Sequence, residues 1–505
     1  MDAPPLSSYD RITYRTLPMP QTHPDRLATI ALLHGMTPRS IAGCRVLELG
    51  CGDGSNLIPM AYGLPGSEFV GVDLAATAVA SGSAAISTLG LRNVVLHHQD
   101  VMDVSAAFGT FDYIIAPGIY SWVPAPVRDR ILAICEAHLA PRGVAFVSYN
   151  TYPGCHLRQA VWQILQFHVD GIVDPGERIT QARALARFMA DCPQADGSDG
   201  AVLANEMRAV LDHSPGLLFH DDLAVTNFPV YFHEFVSHAR RHRLQFLAEA
   251  NFHEMQPQAY PPEVARQVWN LADRNVVQKE QYLDFLRNRR FRQTLLCREA
   301  VTLDRGLQRE VLRTLHVGSS ARPVVDRPSV DSPGIVEEFR GRGDSTMSTD
   351  HPLAKAAMRH LGQIWPRLVG FDELLRIVAR DGATTAETGS LLDILLAAYS
   401  AGLVELRTHA PHFALEPGPR PTASPVVRLQ LERGPFVASL RHTSVCIEDD
   451  LGRRLLRLMD GTRTSDTLRQ ELGMHVPTQP SPAEVSTAVV ERKVGEAARL
   501  ALLIA

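Results

Sequence analysis

Between residues 45 and 150 the chain alternates short apolar runs with segments of helical spacing, and this alternation restricts the possible folds more than any other feature. The runs are "RVLELG" (45–50), "EFVGVD" (68–73), "NVVLHHQD" (93–100), "FDYIIAPG" (111–118) and "GVAFVSYN" (143–150). Helical segments such as "AATAVASGSAAISTLG" and "APVRDRILAICEAHLAP" lie between them. Strand alternating with helix builds βαβ units, whose crossovers cover both faces of a parallel sheet. The expected fold class is therefore α/β, with a Rossmann-like sheet. Ahead of it, "THPDRLATIALLHGM" (22–36) places Thr22 three positions before Asp25 and then apolar residues at helical spacing, which predicts a capping-box start to an amphipathic helix.

The pattern changes after residue 155. "HLRQAVWQILQFHVD", "ERITQARALARFMADC" and "GAVLANEMRAVLD" are helical patterns with no strand between them. Helix followed by strand then returns twice, in "VYFHEFVSHARRHRLQFLAEANF" (230–252) and "EQYLDFLRNRRFRQTLLCR" (280–298). We read a core over 1–154, a helical insertion over 155–218, and completion of the first sheet over 219–300 by strands at 244–250 and 291–298. A separate helical domain over 155–300 is the alternative. "GSSARPVVDRPSVDSPG" (318–334) reads as a linker or exposed loop. Residues 352–407 suit a winged-helix-like module within a unit spanning 301–410, and 411–505 forms a further C-terminal α+β module with a similar pattern.

Composition narrows the function classes. At 505 residues the chain is too long for one ordinary core. Fifty basic residues against fifty-five acidic ones leave a formal charge of −5, which argues against nonspecific nucleic-acid binding. The seven cysteines include no C-x-x-C pair and read as free thiols of a cytoplasmic protein. The first residues lack a signal-peptide pattern, and the longest apolar stretch, "ILLAAYSAGLV", is too short to span a bilayer. We expect no membrane insertion.

The chemistry concentrates at the strand ends. Glu48, Gly50, Gly52 and Gly54 form E-x-G-x-G-x-G as the first strand closes, with Cys51 inside the turn. Glycines there allow a tight turn and a close approach of backbone to ligand. A dinucleotide fingerprint, G-x-G-x-x-G, needs glycine at position 55, where Ser55 stands, so the spacing favours an S-adenosylmethionine loop. A plain strand–turn–helix with no ligand is the alternative. Asp73, at the tip of the second strand and followed by Leu74, is placed to accept both ribose hydroxyls. Asp100 ends the third strand, where it can accept an adenine amino group, with Val101 and Met102 giving backbone and apolar contact. Pro117 and Gly118 turn the chain after the fourth strand. All four features lie at carboxyl ends of strands, the edge where open α/β sheets bind ligands.

Residues 45–150 resemble the core of class I S-adenosylmethionine-dependent methyltransferases. "SYDRITYRTLPMPQTHPDRLA", "APGIYSWVP", "SYNTYPG", "FHDDL…NFPVYFHEFVSHA" and "RNRRFRQTLLC" resemble the bacterial group that adds a methyltransferase regulatory domain, which includes lysine methyltransferases acting on rickettsial outer-membrane protein. The resemblance implies adenosylmethionine contacts at Glu48, Gly50, Gly52, Asp73, Asp100 and the segment after Ala116. It also implies methyl transfer to protein lysine side chains, with a small-molecule acceptor or a non-catalytic adenosylmethionine-binding regulator as the alternatives. The sequence departs from the group at Cys155, where an aromatic residue is expected.

For the acceptor we single out Tyr120, Trp122, Tyr149 and Tyr152, which follow strands four and five, as an aromatic lining. Asn150 or a tyrosine hydroxyl would orient the amine. Each aromatic read singly fits core packing equally well. Tyr14 is a candidate cover for the cofactor. No metal site is expected: in "HEFVSH", His233 and His238 are five apart rather than four, and His238 with His242 shows no third ligand. The clusters Arg240–Arg243 and Arg287–Arg292 read as solvated surface or as a patch for an acidic substrate protein. The helical insertion is a candidate homodimerisation element.

Overall fold

In the computed structural model, residues 12, 16–195, 197–256, 260–325, 334–341, 343, 345–379, 384–474 and 486–504 are described. Tyr14, and residues 326–333 of the expected linker, lie outside them. The strands β1 (Arg45–Leu49), β2 (Glu68–Asp73), β3 (Val94–His98), β4 (Phe111–Ala116), β5 (Leu139–Asn150), β6 (Leu244–Glu249) and β7 (Phe291–Arg298) make one sheet in the order β3-β2-β1-β4-β5-β7-β6. The pairs among β1 to β5 are parallel, and β7 runs antiparallel between β5 and β6. The two strands expected beyond the helical insertion thus close the first sheet.

Topology places the site. β1 pairs with β2 on one side and β4 on the other, so the crossovers part company there and open a crevice beyond its carboxyl end. Glu48 sits at that end, opposite Gly71 of β2 and Ile115 of β4. Val46, Leu47 and Leu49 of the same strand are buried on both faces, as a covered parallel sheet requires. Helices α1 (Pro24–Leu33), α2 (Leu57–Gly63), α3 (Ala76–Leu89) and α4 (Ala125–His138) pack around the sheet. The start of α1 corrects the expected capping box. Pro24 fixes the first helical position, so His23 becomes the cap and its Nδ1 accepts from the Asp25 N–H. Asp25 instead accepts from the N–H and hydroxyl of Thr408, at 2.6 and 2.9 Å, and ties the first helix to the C-terminal half.

Helices α5 (Cys155–His168), α6 (Pro175–Asp191) and α7 (Asp199–Leu211) gather Val161, Leu165, Ala182, Ala186, Met207 and Val210 into a separate small core. After it, α8 (Phe232–Arg241), α9 (Pro262–Leu271) and α10 (Val276–Arg287) lead into and between β6 and β7. A second major core, between 312 and 406, lies under a sheet ordered Val369–Gly370, His316–Gly318, Glu405–Arg407. A third, between 423 and 503, packs beneath the hairpin Phe436–Ala438 and Ser444–Cys446. Among the described residues no helix is long and apolar enough to cross a membrane.

The antiparallel pair is anchored by charge. Arg292, 0% exposed, reaches Asp284 at 2.8 Å, Glu249 at 2.7 Å and Glu280 at 3.3 Å, with the Phe232 ring 3.8 Å from its guanidinium. Arg289 is buried too and lies 3.2 Å from Asp284. The basic run at 287–292 is therefore not a solvated patch: two of its arginines neutralise carboxylates that α10 and β6 bury. Burial pushes the Asp284 carboxyl up to about 6 even against these two cations. Removing one partner of such a network leaves uncompensated buried charge, at a cost of about 3–5 kcal/mol, whereas an exposed pair contributes roughly 0–1. We expect Arg292→Leu to lower the urea midpoint, with a loss of unfolding free energy in the first range. Glu68→Ala, which breaks the exposed bridge to Arg45, should leave that midpoint nearly unchanged.

Candidate functional site

The turn after β1 takes a path that side chains resist. Gly50 and Gly52 have φ of +76° and +53°, in the left-handed region. A Cβ on Gly52 would stand 3.0 Å from Thr16 Cγ2, where the amino-terminal segment crosses the loop. Asp73 closes the turn from β2: its Oδ2 accepts the Gly52 N–H and its Oδ1 accepts the Ala75 N–H, both at 2.8 Å. The carboxylate is thereby fixed at the mouth of the crevice, half-buried, beside bare main chain.

Glu48 lies deeper, 1% exposed. Its Oε1 accepts from Asn56 Nδ2 at 3.0 Å, and its Oε2 is buried with no hydrogen-bond partner among the described residues. Asn56 cannot be turned round, because its Oδ1 accepts the Met19 main-chain N–H at 2.9 Å, so the amide nitrogen must face Glu48. A second donor, His442 Nε2 from the hairpin of the last module, reaches the same Oδ1 at 3.0 Å. Burial holds His442 down to about 3, which keeps the ring neutral. Burial likewise pushes the Glu48 carboxyl up to about 8, a shift that the Asn56 bond opposes and Asp73 and Asp53 reinforce. A buried acid with an unpartnered oxygen, next to bare backbone, suits a ligand that brings a cation.

The other predicted cofactor residues divide by role. Cys51 is buried and its sulfur packs toward Gly71 of β2, so only its backbone faces the turn. Burial pushes its thiol up, away from reactivity. Gly54 stands against Leu96 and Ile58, behind the loop. Leu74, 59% exposed, projects beside Asp73 as an apolar cover. Asp100 is half-buried and caps the turn Val101–Asp103 by accepting the Met102 N–H, with Val101 buried and Met102 exposed. Pro117 is buried, and the Gly118 N–H donates to Ser148 Oγ at 2.7 Å. Ile119 then lies beneath Gly50, 3.3 Å from where a Cβ would stand.

The expected aromatic lining separates into two groups. Tyr120, 2% exposed, and Tyr149 pack with Phe235 inside the core, and their hydroxyls meet His238 Nδ1 and Thr294 Oγ1. Neither is open to solvent, because each ring packs against Phe235 of α8. Tyr152 is half-buried in an outer stack with His156 and Tyr231, its hydroxyl donating to Gln159. Trp122 is half-buried on the turn after β4. Asn150 donates from Nδ2 to Asn227 Oδ1 at 3.2 Å, linking the end of β5 to the segment leading into α8. Cys155, also buried, contacts the Arg290 carbonyl through its sulfur.

Two functional residues escape a reading of the sequence. Asn56, just before α2, has the position and residue type of a helix cap, yet its side chain makes no cap bond. His442 is 386 positions away in the chain, with no local pattern to tie it to the loop.

Comparison with known proteins follows this division. A family described as "Methyltransferase domain" matches residues 46–143, "Predicted methyltransferase regulatory domain" matches 214–298, and "PKMT, C-terminal winged helix domain" matches 419–483. The winged-helix match falls on the last module, beyond the 301–410 unit. Uncharacterized protein RP789 of Rickettsia prowazekii (strain Madrid E) is 35% identical over 355 residues, 69% of this chain, and the chain spans 64% of its length. Uncharacterized protein RP028 of the same organism is 32% identical over 241 residues, 48% of this chain and 96% of that protein. The structure of PKMT2 from Rickettsia typhi in complex with AdoHcy shares the fold at 24% identity and a TM-score of 0.87, over 97% of this chain and 100% of that one. The chain belongs to the class I S-adenosylmethionine-dependent methyltransferases with a methyltransferase regulatory domain.

Proposed function

We propose that this chain transfers a methyl group from S-adenosylmethionine to lysine side chains of a protein. The observation that carries the donor half is the buried Glu48 carboxyl, with one oxygen fixed by Asn56 and the other unpartnered, beside a turn of bare backbone. Glu48 would pair with the ammonium of the donor's methionine end, and Asp73 would accept the ribose hydroxyls. Leu74, Asp100 and Val101 would enclose the adenine. Bound there, the donor would supply an activated methyl on a sulfonium: the amine nitrogen would form the new N–C bond as the C–S bond breaks, and the thioether would leave with that electron pair.

Alignment then supplies most of the rate, several kcal/mol and up to roughly 7–11 in favourable cases. A lysine with a pKa near 10.4 must first lose its proton, at a cost of about 4.6 kcal/mol at pH 7. Tyr152 and Trp122, partly exposed near the ends of β5 and β4, are our candidates for the wall that desolvates the amine and tolerates its methylated, cationic product. Asn150 is the candidate that orients it. Tyr120, buried behind them, acts by positioning. The protein acceptor is supported by the PKMT winged-helix match and by the PKMT2 likeness over nearly the whole chain. We place the protein in the cytoplasm, where unpaired thiols such as Cys44, Cys135 and Cys297 persist.

The direct test is incubation with methyl-labelled S-adenosylmethionine and a bacterial lysate. Label should appear in protein bands and be recovered as methyllysine after hydrolysis. Asp73→Ala should lower it by about 30-fold or more, the loss of two charge-assisted hydrogen bonds. Label confined to small molecules would replace the protein acceptor with a metabolite, and no label from a donor-binding protein would leave a regulator. A homodimer is also part of this proposal, because Phe167, Val173 and Phe188 stand exposed on the helical lobe. Light scattering on the purified chain should give twice the 55.5 kDa mass, and Phe167→Asp with Phe188→Asp should return it to the monomer value. A monomeric wild type would exclude it.

A further inference from the structure

Away from the donor crevice, three side chains from two helices converge on one point. His238 lies in the last turn of α8 and His242 caps its end, while Asp129 lies in the first turns of α4. Asp129 Oδ1 stands 3.1 Å from His238 Nε2 and 2.9 Å from His242 Nε2, and one ligating atom from each residue falls within 4.8 Å of the other two. In sequence the two histidines form a pair without a third ligand. The structure supplies that ligand from a helix more than a hundred positions earlier. It also removes the solvated-face reading, since both imidazoles are largely buried while Asp129 remains 58% exposed.

We propose that Asp129, His238 and His242 form a binding site for a divalent ion of the zinc type, which clamps α4 of the methyltransferase core to α8 of the regulatory segment. The spacing fits. Ligands about 2.0–2.1 Å from a tetrahedral zinc lie roughly 3.3 Å from each other, so the two observed separations need to open by only a few tenths of an ångström. Histidines four apart on one helix offer their nitrogens to the same side.

The groups behind the imidazoles support the same assignment. His238 Nδ1 meets the Tyr120 hydroxyl at 2.7 Å, and His242 Nδ1 faces Glu136 Oε2 at 3.6 Å, with Glu136 held by Arg243. Without an ion the Asp129 carboxylate accepts the Nε2 protons of both rings; oxygens near both Nδ1 positions would let each ring move its single proton there and present the Nε2 lone pair to an ion, the arrangement that orients zinc-binding histidines. Arg241 opposes added positive charge at this point, and the carboxylates of Asp129 and Glu136 offset it. Through Tyr120 the clamp would reach the aromatic cluster that packs behind the turn after β4.

The site is independent of the donor reading, and its test uses the full chain stripped of metal with a chelator. Calorimetric titration with Zn²⁺ should show one equivalent bound, and Co²⁺ should give the visible absorption of a tetrahedral nitrogen–oxygen site. Asp129→Asn and His242→Gln should each weaken Zn²⁺ binding at least about tenfold, and Zn²⁺ should raise the thermal midpoint of wild type more than that of either variant. Asp129 is exposed, so its variant should keep the wild-type circular dichroism and remain informative even where a histidine variant unfolds. No Zn²⁺ bound by the wild type at micromolar concentration, or equal binding by wild type and Asp129→Asn, would overturn the assignment.

Discussion

One hydrogen bond organises the donor crevice, from Asn56 Nδ2 to Glu48 Oε1 at 3.0 Å. Without it Glu48 would be an acid buried at a strand end with neither oxygen satisfied, a costly arrangement. With it, one oxygen is fixed and the other is left for a ligand. Asn56 can make this bond because Met19, Thr22 and His442 occupy its carbonyl oxygen, and so determine which way the amide points. The crevice is therefore shaped by three distant parts of the chain: the turn after β1, the segment before α1, and the hairpin of the last module. Removal of that module would take away one of the donors that orient Asn56, which links a winged-helix region to the pocket through that amide.

A pocket assembled this way requires a stiff base, and the sheet provides it at the antiparallel end. Arg292 holds Asp284, Glu249 and Glu280, and Glu249 in turn accepts from Thr294, the partner of the Tyr149 hydroxyl. The chain of contacts continues from Tyr149 through Phe235 to Tyr120 and His238. Charge buried at β6 and β7 thus supports the aromatic residues behind the ends of β4 and β5, between the donor crevice and the Asp129–His238–His242 cluster.

Much of this was legible in the sequence for stated physical reasons. The sheet was, because parallel strands buried on both faces must be short apolar runs, and the loop was, because Gly50 and Gly52 adopt a φ that other residues avoid. What stayed hidden depends on tertiary partners. Asn56 imitates a helix cap, and His442 and Asp129 have no sequence neighbour that hints at their partners. Arg292 reads as surface charge until α10 and β6 supply three carboxylates. The aromatic group was visible as a set, but burial divides it: Tyr149 lies within β5 and packs with Tyr120 on Phe235, whereas Tyr152 lies beyond the end of that strand and Trp122 on the turn after β4. The capping box at Thr22 failed by one position, since Pro24 moved the cap to His23.

The measurement closest to the centre of this structure is the proton balance of ligand binding. Empty, Glu48 is mostly protonated at pH 7, with its pKa raised to about 8; an ammonium placed against Oε2 would ionise it. Calorimetry with S-adenosylhomocysteine in buffers of different ionisation enthalpy should therefore give close to one proton released per ligand at pH 7. Affinity should climb by up to about tenfold per pH unit below 8 and then level off, and Glu48→Gln should abolish both effects. Binding with no proton release, or release unchanged in Glu48→Gln, would contradict the role assigned to this carboxyl. Failure to bind while a nicotinamide nucleotide binds would contradict the pocket itself.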